Sequence, residues 1–582
     1  MRYLALAIDY DGTLARHGHV DEPTLAAIGK LRESGRKLIL VTGRELGELL
    51  GVFPRIDLFD RVVAENGALL YRPEAREEKP LAEPPPEAFV AELRRRGVNP
   101  MSVGRSIIAT WEPHQNTVLD VIRELGLEWH VIFNKGAVMV LPSGINKATG
   151  LAAALQELGL SAHNTVGVGD AENDLAFLSS CECSVAVANA LQSVKDRADI
   201  VTQASHGAGA TELIEQLIAD DLRQYGPDLR RHAVLFGKRD DGTEERIDPY
   251  GLCVVIAGTS GGGKSRMTTG FLERLAEPGY QFVIIDPEGD YSSFEGVVVL
   301  GDPHRAPTVE EAVDLLSSPR QNAAINLLGL SLEHRPAFFA TLLPRLQDMR
   351  LRTGRPHWIV VDEAHHLLPT TWKPATLSLP QELQGMLLVT VHPESVSPAV
   401  LKSVDVLYAI GERVDQTIAG LAHAVDQAPP AIIGPTSLKK GEALAWWRRT
   451  DQPPYRIRSL PSRAEHSRHS RKYAEGSLGP ERSFYFRGPD GKLNLGAQNL
   501  VIFLQMAEGV DDETWMYHLR RGDYSTWLRE GIKDDDLGAE VETIEKTMAG
   551  ANPKESRNTV RAAIEKRYTL PSLGAASGLI EK

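Results

Sequence analysis

Cysteine is scarce in this sequence. Only three cysteines, Cys181, Cys183 and Cys253, occur among the 582 residues. So few thiols exclude the disulfide framework that stabilises small secreted proteins. A zinc site built from two cysteine pairs is also excluded, because one residue separates Cys181 from Cys183 and no second pair exists. We therefore expect a reducing, cytoplasmic compartment.

Long hydrophobic runs and an excess of positive charge are lacking too. No segment approaches the ~18 consecutive apolar residues of a membrane span, so we expect no membrane partner. Asp9 and Asp11 interrupt the apolar N-terminus too early for a signal peptide. The formal net charge is -14. This charge excludes a surface that is basic throughout and leaves only a local basic groove for nucleic acid.

The chain does contain a repeated alternation of strand-like and helix-like segments. Such βα alternation builds a parallel sheet whose functional residues lie at the carboxyl ends of the strands. We predict an α/β fold with two doubly wound parallel-sheet domains and a small helical C-terminal domain. The predicted boundaries are 1–222 for the first domain, with an inserted cap at about 73–141, 223–451 for the second domain, 452–481 for a basic linker and 482–582 for a helical accessory domain.

Polar residues follow the predicted strands and helix starts of the first domain in a fixed order. These residues are Asp9 and Asp11, then Thr42 and Gly43, then Lys147, and finally Asp170, Asn173 and Asp174. A carboxylate can attack phosphorus, and a second one two residues on can protonate the leaving oxygen. A hydroxyl and an ammonium can hold the phosphoryl oxygens, and further carboxylates suit Mg²⁺. Taken alone, the Asp-x-Asp-Gly-Thr segment also fits an ordinary turn.

This order of motifs resembles the haloacid dehalogenase superfamily, and within it the Cof-type, sugar-phosphatase-like enzymes with a large inserted cap. The segments 64–68 and 185–190 extend the resemblance, which covers about residues 1–220. It implies that Asp9 is the nucleophile and Asp11 the general acid and base. It also implies that Thr42, Gly43, Lys147 and Asn173 bind phosphate, and that Asp9, Asp11, Asp170 and Asp174 hold Mg²⁺. In the cap, Trp111, His114, His130 and Lys135 either face the crevice or are ordinary surface residues.

A second phosphate-binding pattern begins after the apolar run 252–257. Residues 258–265 fit G-x-x-x-x-G-K-S, in which glycine amides wrap phosphates, Lys264 reaches the β- and γ-phosphates and Ser265 ligates Mg²⁺. The predicted nucleotide-binding residues of this segment are Gly258, Gly261, Gly262, Gly263, Lys264 and Ser265. Asp362 and Glu363 end another apolar run, which suits an Mg²⁺ ligand and a base that polarises water. The alternative is a buried strand that ends at a helix-capping acid.

The second domain resembles the HerA and FtsK group of P-loop ATPases over about residues 230–450. The segments that carry the resemblance are 285–291, 362–366 and 389–393. It implies ATP as ligand and a homo-oligomer, usually a hexameric ring, that often processes DNA. It also implies that His392 binds the nucleotide, but a glutamine commonly stands at this position in the group, which leaves sensing of the γ-phosphate by His392 open. An arginine from a neighbouring subunit usually completes the site, and Arg413 and Arg345 are both candidates.

Basic residues in the predicted linker either touch a phosphate backbone or form a solvated segment. They are Arg456, Arg458, Arg463, Arg468, Arg471 and Lys472. In the accessory region, His518 and Asp523 are either structural polar groups or a catalytic pair. We expect this region to serve assembly or partner binding.

These patterns favour a bifunctional enzyme. The first domain is predicted to hydrolyse a small phosphomonoester such as a sugar phosphate with Mg²⁺, and the second to hydrolyse ATP and organise an oligomer. An alternative is an ATP-driven nucleic-acid machine whose first domain processes phosphate ends, including in anti-phage defence. A third hypothesis makes the nucleotide a switch for assembly only.

Overall fold

The computed structural model describes most of the chain. The described residues are 1–226, 231–259, 262–371, 383–434, 436–460, 462, 482–489, 491, 493–532 and 534–567. They form three domains and one inserted module, and the predicted fold class is confirmed. No helix within these ranges is long and apolar enough to cross a membrane.

The first domain is built on an eight-stranded sheet in the order β12-β11-β10-β1-β2-β3-β4-β5. Six strands are parallel, and β4 and β5 add an antiparallel edge. The strands are β1 Ala5–Asp9, β2 Lys37–Val41, β3 Arg61–Ala64, β4 Leu69–Arg72, β5 Glu77–Pro80, β10 Thr165–Gly169, β11 Cys183–Ala186 and β12 Ile200–Val201. The helices are α1 Glu22–Glu33, α2 Leu46–Val52, α5 Lys147–Leu158, α6 Leu175–Ser180, α7 Gln192–Lys195 and α8 His206–Asp220.

Local sequence accounts for the helix starts that position this sheet. Asp21 caps α1 by accepting the backbone N–H of Thr24 at 2.9 Å. The helix buries Ala27, Ile28 and Leu31, whose spacing places them on one face. Asn146 caps α5 in the same manner and fixes Lys147 as the first helical residue.

The inserted module has its own antiparallel sheet in the order β6-β7-β9-β8. Its elements are α3 Glu87–Arg95, β6 Ser102–Val103, β7 Ile108–Trp111, α4 Gln115–Glu124, β8 Trp129–Asn134 and β9 Ala137–Pro142. The predicted cap start near residue 73 falls inside the main sheet, because β5 pairs with β4. The module is tied to the first domain by the Glu65 carboxylate, which accepts the backbone N–H groups of Arg105 at 2.9 Å and Ser106 at 2.8 Å.

The second domain has an eleven-stranded sheet in the order β14-β13-β23-β22-β21-β15-β20-β19-β16-β18-β17. The strands are β13 Val234–Arg239, β14 Glu244–Ile247, β15 Cys253–Gly258, β16 Phe282–Asp286, β17 Val297–Leu300, β18 Asn322–Asn326, β19 Trp358–Val361, β20 Met386–Thr390, β21 Val406–Ile410, β22 Glu442–Trp447 and β23 Tyr455–Ser459. The helices are α9 Lys264–Ala276, α10 Val309–Ser317, α11 Arg335–Thr353, α12 Ala364–Leu367, α13 Pro398–Leu401 and α14 Val414–Ala424.

Strand β23 corrects the predicted linker of residues 452–481. It pairs with β22 and β13, so the second domain extends at least to Ser459. The basic residues that suggested a linker alternate along this strand with the buried Ile457. Arg456 pairs with Asp240 at 2.8 Å instead of lying free. The other four basic residues, Arg463, Arg468, Arg471 and Lys472, lie outside the described residues.

The C-terminal domain is helical, with one small hairpin. Its elements are β24 Phe484–Phe486, β25 Leu495–Ala497, α15 Leu500–Gly509, α16 Asp512–Arg521, α17 Asp523–Glu530, α18 Asp535–Met548 and α19 Pro553–Arg567. Aromatic side chains from the hairpin and the helices form its core, and the rings of Trp515 and Tyr524 stack at 4.4 Å.

The first two domains meet at the amino ends of their sheets. Tyr280, which lies just before β16, donates to the buried Glu182 carboxylate just before β11 at 2.8 Å. Asn164, directly before β10, pairs through its Oδ1 with His357 Nε2, directly before β19, at 3.1 Å. Since parallel strands run away from this interface in both domains, their carboxyl ends lie at opposite ends of the two-domain unit.

Candidate active sites

The first candidate site lies at the end of β1. Asp9 is the last residue of β1, which pairs with β2 and β10. Thr42 and Gly43 follow β2 and Asp170 follows β10, so three neighbouring strand ends form one crevice. Gly12 has φ +86°, and a Cβ atom there would lie 2.3 Å from Asp170 Oδ2. A glycine is therefore required where the loop after β1 meets Asp170.

Lys147 connects the carboxylates at the base of the crevice. Its Nζ lies 2.5 Å from Asp9 Oδ1 and 2.6 Å from Asp174 Oδ1. The Lys147 side chain is only 1% exposed. The start of α5 therefore delivers a buried ammonium to two carboxylates that come from different loops.

Three carboxylates crowd together beside this ammonium. One ligand oxygen from each of Asp9, Asp170 and Asp174 lies within 4.8 Å of the others. Asp174 Oδ2 accepts the backbone N–H groups of Asp170 and Ala171, both at 2.9 Å, which fixes its orientation. Thr13 Oγ1 donates to Asp170 Oδ1 at 3.1 Å. This hard, oxygen-rich donor set fits Mg²⁺.

Burial disfavours the ionised forms of Asp9 and Asp170. It raises the pKa of Asp9 well above its ordinary value, Asp174 adds to the shift, and the Lys147 ammonium opposes it. The pKa of Asp170 is also raised, mainly by burial. Burial opposes the charge of Lys147, but Asp174 and Asp9 outweigh it and hold its pKa above the ordinary value. A divalent cation would stabilise the ionised form of all three acids.

Asp11 lies at the mouth of the crevice. Its carboxylate accepts two hydrogen bonds from the Arg44 guanidinium, from Nε at 2.6 Å and from Nη2 at 2.7 Å. Its side chain is 42% exposed, which leaves it open to a bound substrate. We did not predict Arg44, although it directly follows Thr42 and Gly43 on the same loop and that adjacency was a usable signal.

The other predicted phosphate-binding residues gather on the same side. Thr42 is fully buried, and its Oγ1 accepts the backbone N–H of Arg44 at 3.1 Å. Asn173 Nδ2 donates to Asn66 Oδ1 at 3.1 Å. A Cβ atom on Gly43 would lie 3.3 Å from Met139 Sδ of the cap, so Gly43 lies directly beneath the cap. The structure thus brings together all the predicted residues of this site, and their individual roles stay predictions.

One of the four cap candidates reaches the crevice. The Lys135 ammonium, in the turn between β8 and β9, contacts Asp170 Oδ2. His114 Nε2 instead pairs with a backbone carbonyl inside the cap at 3.0 Å. Trp111 and His130 are strand residues of the cap sheet, and Trp111 is 54% exposed.

The second candidate site lies at the end of β15, where the glycine-rich segment leads into α9. A Cβ atom on Gly258 would lie 2.0 Å from the carbonyl oxygen of Ile410 on the neighbouring β21, so the bend requires glycine. Gly263 caps α9, and Lys264 and Ser265 are its first two residues. The Lys264 ammonium donates to the carbonyl oxygens of Gly258 at 3.0 Å and Thr259 at 3.3 Å. The predicted residue Gly261 lies outside the described residues.

Acidic side chains face this segment from the end of β19. Burial raises the pKa of Asp362 well above its ordinary value, and Asp286 and Glu363 add to the shift. Burial lowers the pKa of Lys264, while Glu363 and Asp362 oppose the shift. A phosphate chain with Mg²⁺ suits both groups, because the anion stabilises the ammonium and the cation stabilises the carboxylate.

His392 follows β20, which lies between β15 and β19 in the sheet. Its backbone N–H donates to Thr390 Oγ1 at 3.1 Å, and its Nδ1 pairs with Glu394 Oε1 at 3.1 Å. The His365 ring lies 6.2 Å away, centroid to centroid. Burial lowers the pKa of His365 to about 4. His392 is therefore at the correct edge of the sheet for nucleotide contact, which stays a prediction.

His518 and Asp523 of the C-terminal domain are structural. His518 Nδ1 pairs with Asp523 Oδ2 at 2.8 Å, and His518 Nε2 accepts the backbone N–H of Arg487 at 3.0 Å. Nε2 thus links the residue after β24 to α16, and Nδ1 links α16 to the start of α17. The side chain of His518 is 6% exposed, which leaves no room for a substrate.

Comparison with known proteins gives two family matches. The sequence profile described as haloacid dehalogenase-like hydrolase matches residues 6–99 and 108–214. The profile described as Helicase HerA, central domain, matches residues 253–350.

Individual relatives match the first domain over almost their whole length. A phosphoglycolate phosphatase from Methanothermobacter thermautotrophicus is 28% identical over 223 residues, which is 37% of this chain and 98% of the relative. One from Haloarcula marismortui is 31% identical over 218 residues, 36% of this chain and 95% of the relative. A crystal structure of a haloacid dehalogenase-like hydrolase from Bacteroides thetaiotaomicron aligns with 19% identity and a TM-score of 0.33, over 37% of this chain and 99% of its own.

Proposed function

The chain belongs to the haloacid dehalogenase-like hydrolases through its first domain and carries a HerA central domain behind it, and we propose that its first site hydrolyses phosphomonoesters through an aspartyl-phosphate. It is thus a phosphatase and a P-loop ATPase on one chain. The observation that carries the proposal is the buried cluster in which Lys147 contacts Asp9 and Asp174 beside Asp170.

The proposed reaction uses two carboxylates in turn. An oxygen of Asp9 attacks phosphorus, the bond from phosphorus to the leaving oxygen breaks, and Asp11 gives that oxygen a proton. Asp11 then takes a proton from a water molecule, the water oxygen attacks phosphorus, and the bond from phosphorus to the Asp9 oxygen breaks, so that inorganic phosphate is released and Asp9 is regenerated. The Lys147 ammonium favours the ionised form of Asp9 and opposes the effect of burial, and Thr42, Gly43 and Asn173 hold the phosphoryl oxygens.

Mg²⁺ held by Asp9, Asp170, Asp174 and the backbone carbonyl of Asp11 would supply electrostatic stabilisation of the transferring phosphoryl group. Its proposed role is supported by the raised pKa values of Asp9 and Asp170, since both acids are needed in the ionised form. Arg44 would hold Asp11 in place at the mouth of the crevice.

For the substrate we propose a small phosphorylated carboxylic acid such as phosphoglycolate, which the names of the relatives support. A sugar phosphate is the second substrate class to test. The cap covers the crevice through Met139, which lies above Gly43, and Lys135, which contacts Asp170, and a covered site favours a small ester.

Phosphate release from purified full-length protein tests the first site. Asp9→Asn should reduce turnover by at least about 10³-fold, because it removes the nucleophile. Asp57→Asn is the matched control, since Asp57 is 65% exposed on the surface. Wild-type turnover in Asp9→Asn would contradict the proposal.

For the second domain we propose that ATP hydrolysis drives or gates a homo-oligomer. Lys264 would bind the β- and γ-phosphates, Ser265 and Asp362 would hold Mg²⁺, and Glu363 would polarise the attacking water. Lys264→Ala should abolish ATP hydrolysis and leave phosphomonoester hydrolysis unchanged. Mass measurement with and without ATP tests whether the nucleotide controls assembly, and a mass that ATP leaves unchanged contradicts that part of the proposal.

The match to the HerA helicase domain favours a second candidate function, in which the ATPase acts on nucleic acid. Its test is the ATPase rate with and without DNA at several salt concentrations. Stimulation that falls steeply with salt supports this candidate, and a rate that DNA leaves unchanged rejects it.

A further inference from the structure

Lys135 occupies an unusual position for a cap residue. It lies in the turn between β8 and β9, and its backbone has φ +48°, in the left-handed region that non-glycine residues seldom adopt. Its ammonium contacts the fully buried Asp170 carboxylate, although 47% of the Lys135 side chain is exposed. The side chain therefore runs from solvent at the rim of the cap to the base of the crevice.

The other cations of the first site are held more firmly. Lys147 is 1% exposed and lies between two carboxylates. Arg44 makes two hydrogen bonds to Asp11 and also contacts Glu48. Within the described part of the chain, the contact given for the Lys135 ammonium is a single carboxylate oxygen, that of Asp170. Of the three cations, Lys135 has the fewest bonds to break when it changes partner.

Asp170 is also a predicted ligand of the metal ion. It belongs to the carboxylate cluster that fits Mg²⁺, and a divalent ion neutralises a carboxylate more strongly than an ammonium does. Mg²⁺ and Lys135 therefore compete for Asp170. An ammonium displaced from Asp170 needs another anion within reach, and Lys147, the predicted phosphate-binding lysine, already lies beside the proposed nucleophile Asp9.

We propose that Lys135 is the specificity-determining residue of the cap and binds a second anionic group, a carboxylate, on the substrate. The inference rests on the proposed phosphatase function and on a phosphorylated carboxylic acid as its substrate, and it adds the residue that recognises the carboxylate close to the ester oxygen. The Lys135 turn packs over the site together with Met139 on the following strand, so the recognition is confined to substrates small enough to lie beneath the cap.

Paired kinetics on two esters test the role of Lys135. Lys135→Met should lower kcat/KM for phosphoglycolate on the order of 10- to 100-fold, mainly through KM, because a charge-assisted hydrogen bond is lost. For p-nitrophenyl phosphate, which has no carboxylate, kcat/KM should stay within about threefold. Lys135→Arg keeps a cation and should recover part of the loss. Lys79→Met is the control, since Lys79 is a 51% exposed cation whose partner Glu157 keeps Arg61 and Arg72.

Magnesium binding supplies a second readout that is independent of turnover. Calorimetric titration of Mg²⁺ without substrate should give a several-fold lower Kd for Lys135→Met than for the wild type, because a competing cation is gone. Lys79→Met should bind Mg²⁺ like the wild type. An unchanged or weaker affinity in Lys135→Met contradicts the competition.

The outcomes separate this inference from the proposed function. If the wild type hydrolyses neither ester, the proposed function fails. If Asp9-dependent hydrolysis is present but Lys135→Met changes both esters equally, or changes neither, phosphatase function stands and the carboxylate-binding role of Lys135 is wrong.

Discussion

Removal of the Lys147 ammonium tests the charge balance on which the first site depends. Lys147→Met deletes the charge that lies 2.5 Å from Asp9 Oδ1 and 2.6 Å from Asp174 Oδ1. None of the three side chains is more than 5% exposed, so water does not replace the ammonium. Removing one partner of a buried ion pair typically destabilises a protein by about 3–5 kcal/mol.

That energy translates into a large shift of the unfolding temperature. For a domain of 150–250 residues, each kcal/mol lowers Tm by roughly 2–4 °C. We therefore expect scanning calorimetry to show the transition of the first domain of Lys147→Met roughly 6–20 °C below that of the wild type at neutral pH. Saturating Mg²⁺ should reduce this Tm difference, because it supplies a cation to the same carboxylates.

Lowering the pH should also reduce the Tm difference between the wild type and Lys147→Met. Burial and Asp174 already raise the pKa of Asp9, and loss of the Lys147 ammonium removes the influence that lowers it. A carboxyl group with a raised pKa in the folded state binds more protons when folded. Its contribution to stability is then full below the unfolded pKa and is lost as the pH rises toward the folded pKa. The Tm difference should be smaller at pH 5 than at pH 8.

Lys37→Met is the matched control for this experiment. Lys37 pairs with Asp60 at 2.8 Å in the same sheet, but its side chain is 48% exposed. An exposed pair of this kind contributes about 0–1 kcal/mol. If Lys147→Met and Lys37→Met unfold at the same temperature at every pH, the charge balance inferred for the site is wrong.

Two further changes test separate parts of the structure. Gly12→Ala should weaken Mg²⁺ binding at least about tenfold in a calorimetric titration, because its Cβ would lie 2.3 Å from Asp170 Oδ2. Gly29→Ala is the control and should bind Mg²⁺ like the wild type, since a Cβ there has nothing within 4 Å. Equal Mg²⁺ affinities of the two variants would contradict the close approach of Gly12 to Asp170. Glu182→Gln should weaken the contact between the first two domains, so that calorimetry at pH 7 shows their unfolding transitions further apart than in the wild type. The buried Glu182 carboxylate pairs with Arg2 and His163, whose influence outweighs burial and lowers its pKa to about 2. Its contribution is therefore present above the unfolded pKa and lost as the pH falls toward 2, and the same separation of transitions as in the wild type would refute the role of Glu182.

The strands and catalytic motifs could be predicted because their signals are local. Apolar runs that end in a polar motif located the strands before both sites, and the predicted run 252–257 lies within one residue of the observed β15 at each end. The first-site residues, from Asp9 to Asp174, converge because parallel strands place their carboxyl ends together. That geometry follows from βα alternation alone, so the sequence was sufficient for it.

What the sequence could not supply depends on contacts between distant segments. Lys135 looked like any surface lysine, because its approach to Asp170 depends on how the cap closes over the first domain. Strand β23 was mistaken for linker because two of its five residues are basic and only Ile457 is fully buried. Glu182 belongs to no sequence motif, since its partners Arg2 and Tyr280 are distant in sequence and come from the two different domains that meet at the interface.

Covalent capture of the phosphoryl group on Asp9 tests the central claim most directly. Asp11→Asn removes the proton donor of the first half-reaction and the base of the second. With p-nitrophenyl phosphate, whose leaving group needs no proton, the first half-reaction can still proceed while the second is slow. A small fraction of the enzyme should therefore accumulate in the phosphorylated form. Acid quench followed by peptide mass spectrometry should find one phosphoryl group on the peptide that contains Asp9, and none in the Asp9→Asn, Asp11→Asn double variant. A phosphoryl group on any other residue, or hydrolysis at the wild-type rate without a labelled Asp9, would contradict the account.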